Sequence, residues 1–85
     1  MAKVEVYSSA QCPYCAMAKQ LLDRKGIDYK EIRVDRDLSK RQEMMKKSRQ
    51  RTVPQVFINN QAVGGYTDLL ALERAKRLDS LLAQS

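Results

Sequence analysis

Charged and apolar side chains alternate through Lys3-Val4-Glu5-Val6-Tyr7, the period-two signature of a short, half-buried strand. A polar stretch from Ser8 to Gln11 follows, and the pattern then changes to that of a helix over about 13–25. Pro13 suits a first helical position, Ala18, Leu21 and Leu22 form the apolar stripe, and Gly26 stops the run. A second strand is predicted over 28–34, where Tyr29, Ile32 and Val34 stand among charged residues. Asp35 and Asp37 then open a helix to about Lys47, with Met44 and Met45 as core filler. Val56-Phe57-Ile58 reads as a buried strand joined through Asn59-Asn60-Gln61 to a strand over 61–63, a β-hairpin. Gly64-Gly65 permits close backbone approach, and Tyr66-Thr67-Asp68 begins a helix whose apolar contacts are Leu69, Leu70 and Leu72. Residues 76–85 suggest a short terminal helix. The order β, α, β, α, β, β, α describes an α/β chain.

Eighty-five residues make one domain with a small core, expected to span 1–85. No apolar run has secretory or membrane-spanning length, so a cytoplasmic location is expected and a membrane is not. The net charge of +6 comes from basic residues scattered over helices and loops without interleaved aromatics, which argues against nucleic acid as a partner. A small acidic substrate fits better, since a positive field steers anions to a site.

Both cysteines of the chain lie in Cys12-Pro13-Tyr14-Cys15, three positions apart at the start of the first predicted helix. Residues i and i+3 share a helix face, so the two sulfurs can close a disulfide across one turn. Cys12 falls at the N-cap, where unpaired N–H groups and the positive end of the helix dipole favour a thiolate, and is expected to be the acidified nucleophile. Cys15, nearer the packed face, is expected to resolve a mixed disulfide formed on Cys12. A zinc site needs about four ligands. With no histidine and no third cysteine, no metal is expected. A purely structural staple closing so short a loop would restrict the unfolded chain little.

Two further segments invite a ligand. Pro54 cannot donate to a sheet ladder and belongs at the edge of the strand that follows it. Its neighbour Val53 is then free either to pair with an extended, peptide-like substrate or simply to complete a turn. Thr67 or Asp68 either caps its helix or helps to hold a ligand. In the second case free N–H groups bind a carboxylate and Asp68 accepts from an ammonium.

Cys12-Pro13-Tyr14-Cys15, Thr52-Val53-Pro54 and Gly64-Gly65-Tyr66-Thr67-Asp68, in this order and spacing over nearly the whole chain, resemble the small bacterial dithiol glutaredoxins, in length and pattern the glutaredoxin 3 type. The resemblance implies a thioredoxin-like fold, a four-stranded mixed β-sheet flanked by helices, with a cis peptide bond before Pro54. It further implies a glutathione-dependent thiol–disulfide oxidoreductase that acts as a monomer on disulfide-containing or glutathionylated proteins. Cys12 and Cys15 would be catalytic. Tyr14 would flank a glutathione groove, Val53 would pair main chain to main chain with the cysteinyl unit, and Thr52 and Pro54 would adjoin it. Gly65, Thr67 and Asp68 would surround the γ-glutamyl end. Where many members carry a lysine three residues before the nucleophile, this chain has Ser9, and Arg49 or Arg51 is expected to meet the glycyl carboxylate instead. The resemblance leaves two alternatives, an iron–sulfur cluster carrier, disfavoured by Pro13, and an electron donor fed by thioredoxin reductase.

Overall fold

A computed structural model of the chain describes residues 2–83. Its elements are β1 (Val4–Ser8), α1 (Pro13–Arg24), β2 (Lys30–Arg33), α2 (Leu38–Ser48), β3 (Gln55–Ile58), β4 (Gln61–Gly64), α3 (Tyr66–Arg74) and α4 (Leu78–Ala83). The strands form one mixed sheet in the order β2-β1-β3-β4. β1 pairs with β2 in parallel and with β3 antiparallel, and β3 pairs with β4 antiparallel.

Alternation along the central strands sends side chains to two cores, one on each face of the sheet. Val4, Val6, Val56 and Ile58 pack with Ala18, Leu21 and Leu22 of α1, Leu69 of α3 and Leu78 of α4. On the opposite face Tyr7, Phe57, Ile32 and Val34 pack with Met44 of α2. Met45 adjoins this second core, so both methionines fill gaps as expected. Leu70 is only half-buried, whereas Leu69 is fully enclosed.

Local chemistry sets the boundaries. α1 ends at Arg24, one residue before the expected point, and Gly26 follows with φ +69°, the left-handed conformation a glycine adopts freely. Asp37 caps α2 by accepting from the N–H groups of Ser39 and Lys40. Asp35, expected to help open that helix, lies outside it. β2 is shorter than expected because its pairing with β1 begins at Lys30, opposite Glu5. Asn59 and Asn60 both take positive φ, 52° and 67°, as a two-residue hairpin turn requires. The predicted terminal helix is found as α4, and residues 84 and 85 of that stretch lie outside the described residues.

Leu22 is wholly buried and Leu38 is 69% exposed. Leu22→Ala should lower unfolding free energy by about 2–5 kcal/mol. Leu38→Ala should stay within about 0.5 kcal/mol. Urea denaturation of both variants checks this, and equal losses would contradict the assignment of the core.

Candidate functional site

The register of the sheet brings the sequence motifs to one edge. Tyr7 lies opposite Gln55, so the end of β1 that leads to Cys12 adjoins the start of β3 that follows Pro54. Val56 lies opposite Gly64, which brings the end of β4 and the start of α3 to the same edge.

Cys12 is the N-cap of α1, with extended backbone (φ −137°, ψ 101°), and Pro13 is the first helical residue. Its sulfur accepts from the Cys15 N–H at 3.1 Å and stands 3.6 Å from the Val53 carbonyl oxygen. The two cysteines are joined as a disulfide, with Cα atoms 5.1 Å apart. Cys12 is half-buried whereas Cys15 is 1% exposed, the asymmetry expected of an attacking and a resolving sulfur.

Side chains from beyond the motifs hold this edge in place. The Asp35 carboxylate accepts from the Ala10 N–H at 3.3 Å and takes a bidentate pair of bonds from Arg33 at 2.8 and 2.7 Å, tying the loop before Cys12 to the end of β2. The Arg33 guanidinium, aided by the Ala10 N–H, holds the Asp35 carboxyl far below the usual carboxylate range. Ser8, buried at the end of β1, donates to Glu31 at 2.6 Å, and Lys19 of α1 meets the same oxygen at 2.8 Å. Those two partners, Lys19 first, lower the Glu31 pKa. Behind the Thr-Val-Pro turn Gln55, 1% exposed, donates to the Thr52 carbonyl, the Thr52 hydroxyl and Gln50 Oε1 at 3.0, 3.3 and 3.2 Å. The Val53–Pro54 peptide bond is cis, as the resemblance implied.

A groove of about 310 Å³ opens at this edge, lined by Tyr14, Thr52, Val53, Pro54, Gly65, Tyr66 and Thr67. Tyr14, 58% exposed, stacks on Tyr66 with ring centroids 6.2 Å apart, so the two rings form one wall. Six of the residues expected at a ligand site therefore meet in one groove. Two others stand apart from its lining. Asp68 is the third residue of α3 and accepts from the Gly65 N–H at 3.0 Å, a helix-start contact. A Cβ at Gly64, where φ is +113°, would collide with that carboxylate. Arg51 is exposed, and its carbonyl accepts from the Arg41 guanidinium at 3.4 Å. Tyr66 was read only as a helix start, because nothing in its local sequence distinguishes a groove wall from a first helical residue; its stacking partner lies 52 positions away. Gln55 and Asp35 were missed as supports for the same reason. Among the described residues no cluster of three or more His, Cys, Asp or Glu side chains is placed to hold a metal ion, and no helix is long and apolar enough to cross a membrane.

Residues 4–63 match the glutaredoxin family. The chain belongs to that family. It is 49% identical over 82 residues to glutaredoxin 3 of Escherichia coli K12, covering 96% of this chain and 99% of that protein. It is 51% identical over 83 residues to a glutaredoxin of Pseudomonas aeruginosa, covering 98% and 99%. The solution structure of glutaredoxin from Brucella melitensis superposes with a TM-score of 0.86 at 48% identity, over 96% of this chain and 89% of that one. The crystal structure of a buckwheat glutaredoxin–glutathione complex superposes with a TM-score of 0.90 at 29% identity, over 98% and 78%. The fold is thus the thioredoxin-like one, and membership with a disulfide-forming Cys12–Cys15 pair supports thiol–disulfide oxidoreductase chemistry.

Asp35 yields a pH prediction. In the unfolded chain it titrates at about 3.9, while in the folded protein it stays ionised well below that pH. As pH falls the unfolded chain binds the proton first, so stability present above the unfolded pKa is lost below it. The urea midpoint should therefore fall less from pH 7 to about 3 in Asp35→Asn than in the wild type. Equal falls would contradict the assigned role.

Proposed function

We propose that this chain is a glutathione-dependent thiol–disulfide oxidoreductase that reduces protein disulfides and glutathione mixed disulfides. One observation carries the reading: the groove reaches the nucleophile's position through Val53, whose carbonyl oxygen is 3.6 Å from Cys12 Sγ. Among the described residues Val53 makes no backbone–backbone hydrogen bond and its carbonyl contacts only Cys12 Sγ, so its N–H is available to the cysteinyl unit of glutathione in strand-like pairing. Thr52 and Pro54 bound that unit, and Tyr14 and Tyr66 cover it. The γ-glutamyl carboxylate meets the free N–H groups at the start of α3, beside Gly65 and Thr67, and the Asp68 carboxylate faces its ammonium. Arg51 meets the glycyl carboxylate from the rim. A buckwheat relative with the same fold has been solved as a glutathione complex, which favours this ligand.

In the reduced protein the Cys15 N–H and the α1 dipole stabilise negative charge on Cys12. The Cys12 thiolate attacks the glutathione sulfur of a mixed disulfide. The S–S bond breaks, the protein thiolate leaves with the electron pair, and glutathione stays bonded to Cys12. A second glutathione thiolate attacks that glutathione sulfur, releasing glutathione disulfide and regenerating Cys12. With a protein disulfide, Cys12 first forms a mixed disulfide with one substrate sulfur. Cys15 then attacks Cys12 Sγ, the substrate leaves as a dithiol, and the Cys12–Cys15 bond forms. Two glutathione molecules reduce it in turn.

Turnover coupled to glutathione, glutathione reductase and NADPH tests the division of labour. Cys12→Ser should abolish both activities, and Cys15→Ser should keep deglutathionylation while losing protein-disulfide reduction. Equal loss of both in Cys15→Ser would overturn the two roles. Arg51→Ala should raise KM for glutathione about two- to fivefold, the scale of an exposed ion pair. An unchanged KM would remove Arg51 from the site.

A further inference from the structure

The positive charge of this chain is far less scattered than its composition suggests. Residues 40–51 hold six of the 16 basic side chains and one of the ten carboxylates, whereas ten basic side chains face nine acidic ones elsewhere. Five of the six net charges therefore belong to α2 and the loop that leads from it into Thr52. Two of the six basic groups are paired with a carboxylate or an aromatic ring. Lys40 pairs with Glu43 at 3.7 Å, and Lys47 lies over the Phe57 ring, 4.6 Å from its centroid. Arg41, Lys46, Arg49 and Arg51 have no carboxylate partner among the described residues.

Three of these groups adjoin the loop that enters the groove. The Arg41 guanidinium bonds to the Arg51 carbonyl, Arg51 is bonded directly to Thr52, and Thr52 lines the groove. Arg49 caps α2 in the left-handed conformation, φ 60°, where the chain turns toward that loop, and its side chain is exposed. Consecutive Cα atoms are about 3.8 Å apart, so the Arg51 backbone lies about 4 Å from that of Thr52 and the Arg49 backbone no more than about 11 Å from it, close to the Debye length of about 8–10 Å.

We propose that this strip is a docking surface for acidic segments flanking the disulfide of a protein substrate, selecting among substrates that the glutathione groove alone treats alike. The inference rests on the function proposed above and extends it from the reacting sulfur to the chain around it. A field of one sign beside a reactive edge raises encounter rates with the opposite charge. A protein segment also fits the strip better than nucleic acid, since no exposed aromatic residue interleaves with its charges to stack bases.

The test uses the full chain and three disulfide-cyclised peptides that differ only in their flanks: acidic, neutral or basic. A glutathione mixed disulfide of mercaptoethanol serves as the small substrate. At low salt kcat/KM should be about tenfold higher for acidic than for basic flanks. High salt should shrink that ratio toward one. Lys46→Gln/Arg49→Gln should shrink it at low salt, and because the ratio is taken within each protein, any change in the glutathione step cancels. If the small substrate turns over while the three peptides react alike, the docking surface is refuted and the glutathione reading stands. Binding of a short RNA together with flank-independent turnover would refute it in favour of nucleic acid. Should the small substrate not turn over either, the glutathione reading falls and the docking surface with it.

Discussion

The antiparallel pairing of β1 with β3 is the constraint on which the site depends. Val6 opposite Val56 and Tyr7 opposite Gln55 fix the end of one strand beside the beginning of the other. The residues that follow β1 and those that precede β3 then have to meet, although about 40 positions separate Cys12 from Val53 along the chain. A shift of one residue would also turn Val6 and Tyr7 onto the wrong faces of the sheet, so burial on both faces enforces the register that builds the site.

Around that pairing each neighbouring strand adds one piece at the same edge. β2, parallel to β1, ends near Asp35, which holds the loop before Cys12. β4 ends opposite Val56 and hands the chain to α3, whose start supplies Tyr66 and Thr67 to the groove. Gln55 does for the Thr52 turn what Asp35 does for the Cys12 loop, with its amide buried and bonded to three acceptors. The groove is therefore assembled from ends of rigid elements, and the cysteine pair lies where a helix start stabilises charge on sulfur.

What could be read from the sequence was what local chemistry dictates. Gly26 after α1, the two asparagines of the β3–β4 turn, Pro13 at the first helical position and the buried face of α1 all follow from properties of single residues or short periods. The three motifs carried the family and, through it, the fold and the cis bond before Pro54. Periodicity alone gave neither the strand order nor the parallel pairing of β1 with β2, which depend on contacts between distant segments. The same limit hid Tyr66 as a groove wall, and it made Asp35 look like part of a helix start when its partners are Arg33 and Ala10. The concentration of basic residues in 40–51 is visible in the sequence, but only the fold shows that this stretch leads into the groove at Thr52.

The central claim is that glutathione bonded to Cys12 lies along Val53 and reaches the start of α3. Its most direct test is an amide NMR spectrum of Cys15→Ser before and after formation of the glutathione mixed disulfide. The account predicts shifts concentrated at Tyr14, Thr52, Val53, Gly65, Tyr66 and Thr67, with the Val53 amide newly protected from hydrogen exchange. Shifts confined to the residues flanking Cys12, with Val53 unprotected and the start of α3 unchanged, would contradict it.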